Sequence, residues 1–135
     1  MIVDTSALSA IANGEPGWEG LRAAINVSEC IVPAPVVTEL QIVMAGRLPG
    51  VDSDLMIEAL IANGATIAPF EKRHSELTAL ARDRFGKGNG RGGVLNFGDL
   101  MVYAIAKQRG EPLLCTGRDF ATTDLVIHPA SRLDP

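Results

Sequence analysis

The stretch MIVDTSALSAIANG, residues 1–14, decides the fold. Ile2 and Val3 form a short apolar run that the polar group Asp4-Thr5-Ser6 cuts off, and apolar residues then return at helical spacing until Asn13-Gly14 ends them. A strand that turns directly into a helix is the first half of a βαβ unit. Asp4 therefore stands at the carboxyl end of the first strand.

The rest of the chain repeats the alternation. After Pro16, WEGLRAAI (18–25) reads as a helix and CIVP (30–33) as a buried strand stopped by Pro33 and Pro35. Pro35 suits the first turn of a helix through VVTELQIVMAG (36–46), closed by Gly46. A helix over 53–62 stops at Asn63-Gly64, and ATIAPF (65–70) supplies a third strand. From Glu71 a longer amphipathic helix carries Leu77, Leu80 and Ala81 on one face. It runs out in FGKGNGRGGVLNFGD (85–99), whose five glycines between Gly86 and Gly93 leave no periodicity and mark an exposed loop. Asn96 is a good cap for a helix through 97–110, EPLLCTG (111–117) is a fourth strand and LVI (125–127) a short fifth. The pattern predicts a single α/β domain over 1–135, with a mostly parallel sheet of four to five strands flanked by helices. No internal repeat or second domain is visible.

With 135 residues the chain needs no disulfide staple. Cys30 and Cys115 sit in apolar runs and read as reduced, buried thiols, and His74 and His128 as surface or structural residues. No segment approaches the ~18 apolar residues of a membrane span, and the N-terminus lacks the pattern of a signal peptide, so a cytoplasmic location is expected. The net charge of −4 argues against a protein that coats nucleic acid non-specifically. One stretch departs from it. Arg82, Arg84, Lys87 and Arg91 against Asp83 give +3 there and leave −7 elsewhere.

In such a sheet, ligands bind beyond the carboxyl ends of the strands. Asp4 and Asp119 follow strands, Asp99 opens a late helix, and Glu39 lies among Val36, Val37, Leu40 and Val43 with no Lys or Arg three or four residues away. Gathered carboxylates repel one another, so such a cluster points to a divalent cation. Each acid also has a structural role open to it. Asp4 is placed to cap the first helix, although Thr5 and Ser6 are equally able to. Glu39 has the solvent face available. Asp99 reaches back to Asn96 as a capping residue, and Arg118 is a ready partner for Asp119, with Asp124 competing for the same place. A phosphate-binding loop of the Gly-Lys-Ser/Thr kind is absent, as is any Cys/His or Ser/His pairing for a protein nucleophile. A basic stretch beside an acidic pocket suits metal-assisted phosphodiester hydrolysis, with Arg82, Arg84, Lys87 and Arg91 holding the backbone.

These residues make the chain resemble the PIN-domain ribonucleases, and within them the VapC toxins of bacterial toxin–antitoxin pairs. The resemblance rests on Val3-Asp4-Thr5-Ser6-Ala7-Leu8, Thr38-Glu39-Leu40, Leu95-Asn96-Phe97-Gly98-Asp99, and Pro112-Leu113-Leu114 through Gly117-Arg118-Asp119-Phe120. It implies a magnesium- or manganese-dependent endoribonuclease in which Asp4, Glu39, Asp99 and Asp119 are the catalytic and metal-binding acids and one or two ions activate water. Thr5, Ser6 and Asn96 look like the supporting polar residues of relatives. It further implies structured RNA, transfer RNA above all, as substrate, a homodimer, and a VapB-like antitoxin that lays a peptide over the pocket and supplies DNA binding. One feature departs from the pattern: many relatives carry an acid two residues after a Thr on the fourth strand, where this chain has Gly117. That leaves the number of ions open. It also keeps two rival readings alive, a catalytically idle binding module and a DNA structure-specific nuclease.

Overall fold

The computed structural model describes residues 1–134. Four strands, β1 (Ile2–Val3), β2 (Ile31–Pro33), β3 (Thr66–Ala68) and β4 (Leu113–Leu114), form one sheet in the order β3-β2-β1-β4. All neighbours are parallel, with Ile2 opposite Ile31 and Leu113, Val3 opposite Leu114, and Val32 opposite Ile67. Ile2, Val3, Val32, Leu113 and Leu114 are wholly buried, as parallel strands covered on both faces must be.

Six helices cover the sheet: α1 (Thr5–Ala12), α2 (Trp18–Val27), α3 (Ala34–Arg47), α4 (Ser53–Ala62), α5 (Lys72–Phe85) and α6 (Phe97–Arg109). The helices turn their apolar residues inward, as α3 does with Val36, Leu40 and Met44 at helical spacing. Pro35 lies in the first turn of α3 as expected, but Gly46 does not close it. The helix continues to Arg47, a cation in its last turn.

Two expectations are corrected by packing. Leu80 is 66% exposed and lies off the buried face of α5, whose buried residues are His74 and Ala81. The His74 ring accepts the Glu71 N–H at 2.8 Å, meets Gln108 Oε1 at 3.2 Å and packs against Phe70, so α5 is locked to α6 by a polar residue that apolar periodicity cannot show. Residues 125–127 do not form a fifth strand. Only Ile127 bridges to Leu113, because Thr123 Oγ1 ties the Leu125 N–H on entry and Pro129 follows closely on the other side. Cys30 and Cys115 are buried and free, and among the described residues no helix is long and apolar enough to cross a membrane.

Candidate active site

Asp4 leaves β1 with its N–H on Leu114 O at 3.0 Å, and its side chain is only 4% exposed. Of the three residues able to cap α1, Asp4 is the N-cap. The Ser6 N–H and hydroxyl both donate to Oδ2, at 3.1 and 2.6 Å, which leaves Oδ1 for another partner. Capping and chemistry are divided between the two oxygens. Ser6 Oγ also accepts the Thr116 N–H at 3.0 Å and so fastens the Asp4 loop to the end of β4. Thr5 Oγ1, beside them, is the one buried side-chain oxygen or nitrogen without a partner among the described residues.

Asp99 arrives from α6. Asn96 Oδ1 accepts the Asp99 N–H at 2.9 Å while Asp99 Oδ2 accepts the Asn96 N–H at 3.1 Å, a reciprocal cap that fixes the carboxylate at the helix entrance. Glu39 arrives half-buried from α3, its Oε2 set where a Cβ on residue 98 would stand. Gly98 is therefore what lets α6 approach the Glu39 carboxylate. Asp119 is exposed at the start of a short 3₁₀ turn (Phe120–Thr122) that buried Phe120 anchors.

Burial and like charge act together on these groups. Burial pushes the Asp99 carboxyl up to about 6; the Asn96 hydrogen bond opposes this, and the charges of Asp4, Asp119 and Glu39 add to it. Asp4 is likewise raised, by burial first and, beyond the opposing Ser6 bonds, by Glu39. Cys115, behind the cluster, is pushed up to about 12 by burial and then by Asp4, with Asp99 and Asp119 contributing. No lysine or arginine is among the influences on Asp4 or Asp99.

Asp124 stands elsewhere. It accepts Tyr103 Oη at 2.6 Å and Lys107 Nζ at 2.9 Å and pairs with Arg84 at 3.4 Å. Burial tends to raise its pKa, but these bonds and charges prevail and hold it at about 2. Arg118 pairs with Asp134 at 3.0 Å rather than with Asp119. Of the basic residues, Arg84 is committed to Asp124 and stacks on Phe85, and Arg82 contacts Asp83, whereas Lys87 and Arg91 stand exposed without a carboxylate partner among the described residues. Their loop is exposed as expected, yet ordered: Asn89 Oδ1 accepts the Arg91 and Gly93 N–H groups and Asn89 Nδ2 donates to Asp83 O.

Two features escape a reading of acids alone. The role of Gly98 could have been suspected, since a glycine in the first turn of a helix is unfavourable without a packing reason. An apolar groove of about 680 Å³, lined by Ile42, Phe70, Phe97 and Met101, opens beside Glu39, and Phe97 is 78% exposed.

The donors available are hard oxygens, with an unpartnered hydroxyl next to them, and this chemistry fits magnesium or manganese. Among the described residues no three His, Cys, Asp or Glu side chains gather closely enough to enclose one ion directly. Magnesium does not require that, since it keeps several waters and takes one or two carboxylates.

The PIN domain pattern matches residues 1–125. Ribonuclease VapC36 of Mycobacterium tuberculosis is 39% identical over 127 residues, 93% of this chain and 91% of that protein. The solved structure of VapC20 from Mycobacterium tuberculosis, described as a sarcin-ricin loop cleaving toxin, superposes with a TM-score of 0.71 at 16% identity, over 93% of this chain and 95% of that one. VapBC2 from Rickettsia felis, solved bound to a promoter DNA fragment, gives 0.67 at 14% identity over 98% and 96%. The last two establish likeness of fold; the family match and the VapC36 identity carry the assignment. A chain with Asp4, Glu39, Asp99 and Asp119 converging at one end of a parallel sheet, and with these relatives over nearly its whole length, belongs to the PIN-domain family and to its VapC ribonuclease branch.

Proposed function

We propose that this chain is a divalent-cation-dependent endoribonuclease of the toxin type, a single cytoplasmic nuclease domain that hydrolyses phosphodiesters of structured RNA such as transfer RNA. The observation that carries the reading is that Asp4 keeps Oδ1 free at the end of β1 while Gly98 brings the Glu39 carboxylate against the α6 entrance that carries Asp99, and among the described residues no lysine or arginine is within ion-pair distance of these three acids.

Asp4, Glu39 and Asp99 would hold magnesium or manganese, one or two of them directly and the rest through its retained waters, with Asp119 at the exposed rim. Bound there, the ion supplies charge neutralisation for the reacting phosphate and acidification of water. Ser6 and Asn96 keep the Asp4 and Asp99 carboxylates in place by hydrogen bonds to one oxygen of each. Lys87 and Arg91 draw the RNA backbone through salt-sensitive contacts that read little sequence. One Trp and one Tyr leave stacking on bases a minor role.

A cognate antitoxin would lay apolar side chains into the groove at Ile42, Phe70 and Phe97 and offer an Arg or Lys to the carboxylates beside it. The groove's apolar lining and its opening at Glu39 support this. Pairing of two copies into a homodimer is carried by the family resemblance.

The test is cleavage of RNA and of DNA of matched shape, with magnesium or manganese and with chelator. The wild type should cut RNA only with the ion. Asp4→Asn and Asp99→Asn should abolish cutting while remaining folded, and equal cleavage by these variants would defeat the proposal.

A further inference from the structure

Arg132 stands apart from the other cations. Of the twelve Lys and Arg residues it is the one that is half-buried, the remainder being exposed. Lys72, Arg73, Arg82, Arg84, Lys107 and Arg118 each have a carboxylate within ion-pair distance; Arg132 has none among the described residues. A guanidinium withdrawn from water without a counter-charge is unfavourable, so the arrangement asks for an anion from outside.

The side chain is held in place. It crosses residue 17 so closely that a Cβ there would lie 2.5 Å from Arg132 Nε and 2.8 Å from Cδ, which only a glycine allows. The backbone is fixed too, with Arg132 N–H on Cys115 O at 3.0 Å and Gly117 N–H on Arg132 O at 2.8 Å. Arg132 thus lies in parallel register with Thr116, whose own N–H reaches Ser6 Oγ and through it Asp4 Oδ2. The guanidinium belongs to a cleft of about 450 Å³ bounded by Glu15, Pro16, Thr116 and Gly117, one chain segment away from the acids. Asp134, also on that cleft, is engaged by Arg118 at 3.0 Å. At Gly117 a Cβ would meet nothing within 4 Å, so the cleft is open on that side. The family match ends at residue 125 and does not reach Arg132.

We propose that the Arg132 cleft is a second anchor for the RNA backbone, binding a phosphate of the strand on the β4 side of the acids, separate from the Lys87 and Arg91 loop. The proposal deepens the nuclease reading and rests on it for the identity of the polyanion. The departure at Gly117 and the half-buried Arg132 then become one feature: the side chain missing at residue 117 leaves room for a phosphate beside a cation that has no ion-pair partner among the described residues.

The experiment measures binding of a labelled single-stranded RNA by anisotropy, in chelator, at several salt concentrations. Asp99→Asn serves as the background, with Arg132→Gln and Arg132→Lys added. Arg132→Gln keeps a stem over Gly17 and should weaken binding about tenfold, with the slope of log Kd against log salt lower by about 0.7. Arg132→Lys should restore most of both, and Arg132→Gln should melt no lower than its background, since an uncompensated charge has been removed. Unchanged Kd and slope in Arg132→Gln, or a lowered melting temperature with an unchanged slope, would overturn the anchor while leaving the nuclease reading intact. A wild type that fails to cut RNA with manganese, while binding still depends on Arg132, would remove the nuclease reading and leave the anchor. Absence of any RNA binding by the background variant would remove both.

Discussion

Asp99→Asn is expected to make the cation-free protein more stable, not less. Burial, then the charges of Asp4, Asp119 and Glu39 against the opposing Asn96 hydrogen bond, take the Asp99 carboxyl from 3.8 to about 6. A folded-state pKa above the unfolded one favours the protonated acid, so the group's stabilising contribution is full below pH 3.8 and is lost as pH rises through about 6. The rise of about 2.2 units, 6 minus 3.8, corresponds to ~3 kcal/mol at ~1.36 kcal/mol per unit. Asp99 is only half-buried and water screens part of this, leaving about 1–2 kcal/mol at neutral pH. An asparagine retains an oxygen for the Asn96 N–H, so the cap of α6 survives the substitution. Calorimetry in EDTA near neutral pH should therefore place the variant about 4–8 °C above wild type, at ~4 °C per kcal/mol, with the gap closing toward about pH 4. Manganese should then raise the wild type and leave the variant unmoved. A variant no more stable than wild type in EDTA would refute the claim that Asp99 stands uncompensated among like charges.

Gly98→Ala should place a methyl group on the Glu39 carboxylate; because that carboxylate is the mobile end of a side chain, cleavage should fall at least about tenfold while the melting temperature moves little, as activity and thermal scans would show. Asp124→Ala should lower stability by about 1–2 kcal/mol, since it removes the acceptor for Tyr103, Lys107 and Arg84, yet keep cleavage within about twofold, whereas Asp119→Asn should impair cleavage without destabilising. The Asp124 contribution has the opposite sign to that of Asp99: held at about 2, it is present above pH 3.8 and lost as pH falls through 2, which acid unfolding of wild type and variant would reveal. Lys87→Ala with Arg91→Ala should weaken RNA binding and flatten its salt dependence by about 0.7 for each phosphate that is no longer neutralised, with no fall in melting temperature.

Much of the fold was legible in the sequence because strands buried on both faces have to be apolar runs and because Asn13-Gly14, Pro35, Asn63-Gly64 and Asn96 mark helix ends by local chemistry alone. The errors fell where a distant partner decides. Leu80 fits the helical spacing, yet the contact between α5 and α6 is built on His74 and Gln108, a pairing across 34 positions that no local pattern encodes. Residues 125–127 have strand composition, but the Thr123 hydrogen bond on one side and Pro129 on the other leave room for one bridge. At the site the same division holds. The placing of Asp4 at a strand end and of Asp99 at a helix entrance followed from local chemistry, since both are capping positions, and Glu39 drew notice as a charge amid apolar neighbours. The choice between Asp119 and Asp124 was not legible, since it turns on Tyr103, Lys107 and Arg84 claiming one of them. Arg132 was invisible for a related reason: its isolation appears only once the carboxylates around it are seen to be engaged elsewhere or out of reach.

The central claim is that these acids form one cation site. Anomalous diffraction from a crystal of this protein equilibrated with manganese tests it most directly. A peak within bonding reach of Asp4 and Asp99, on the side facing Glu39 and Asp119, is the predicted result. Manganese bound elsewhere, or absent from this cluster at concentrations that support RNA cleavage, would contradict the account.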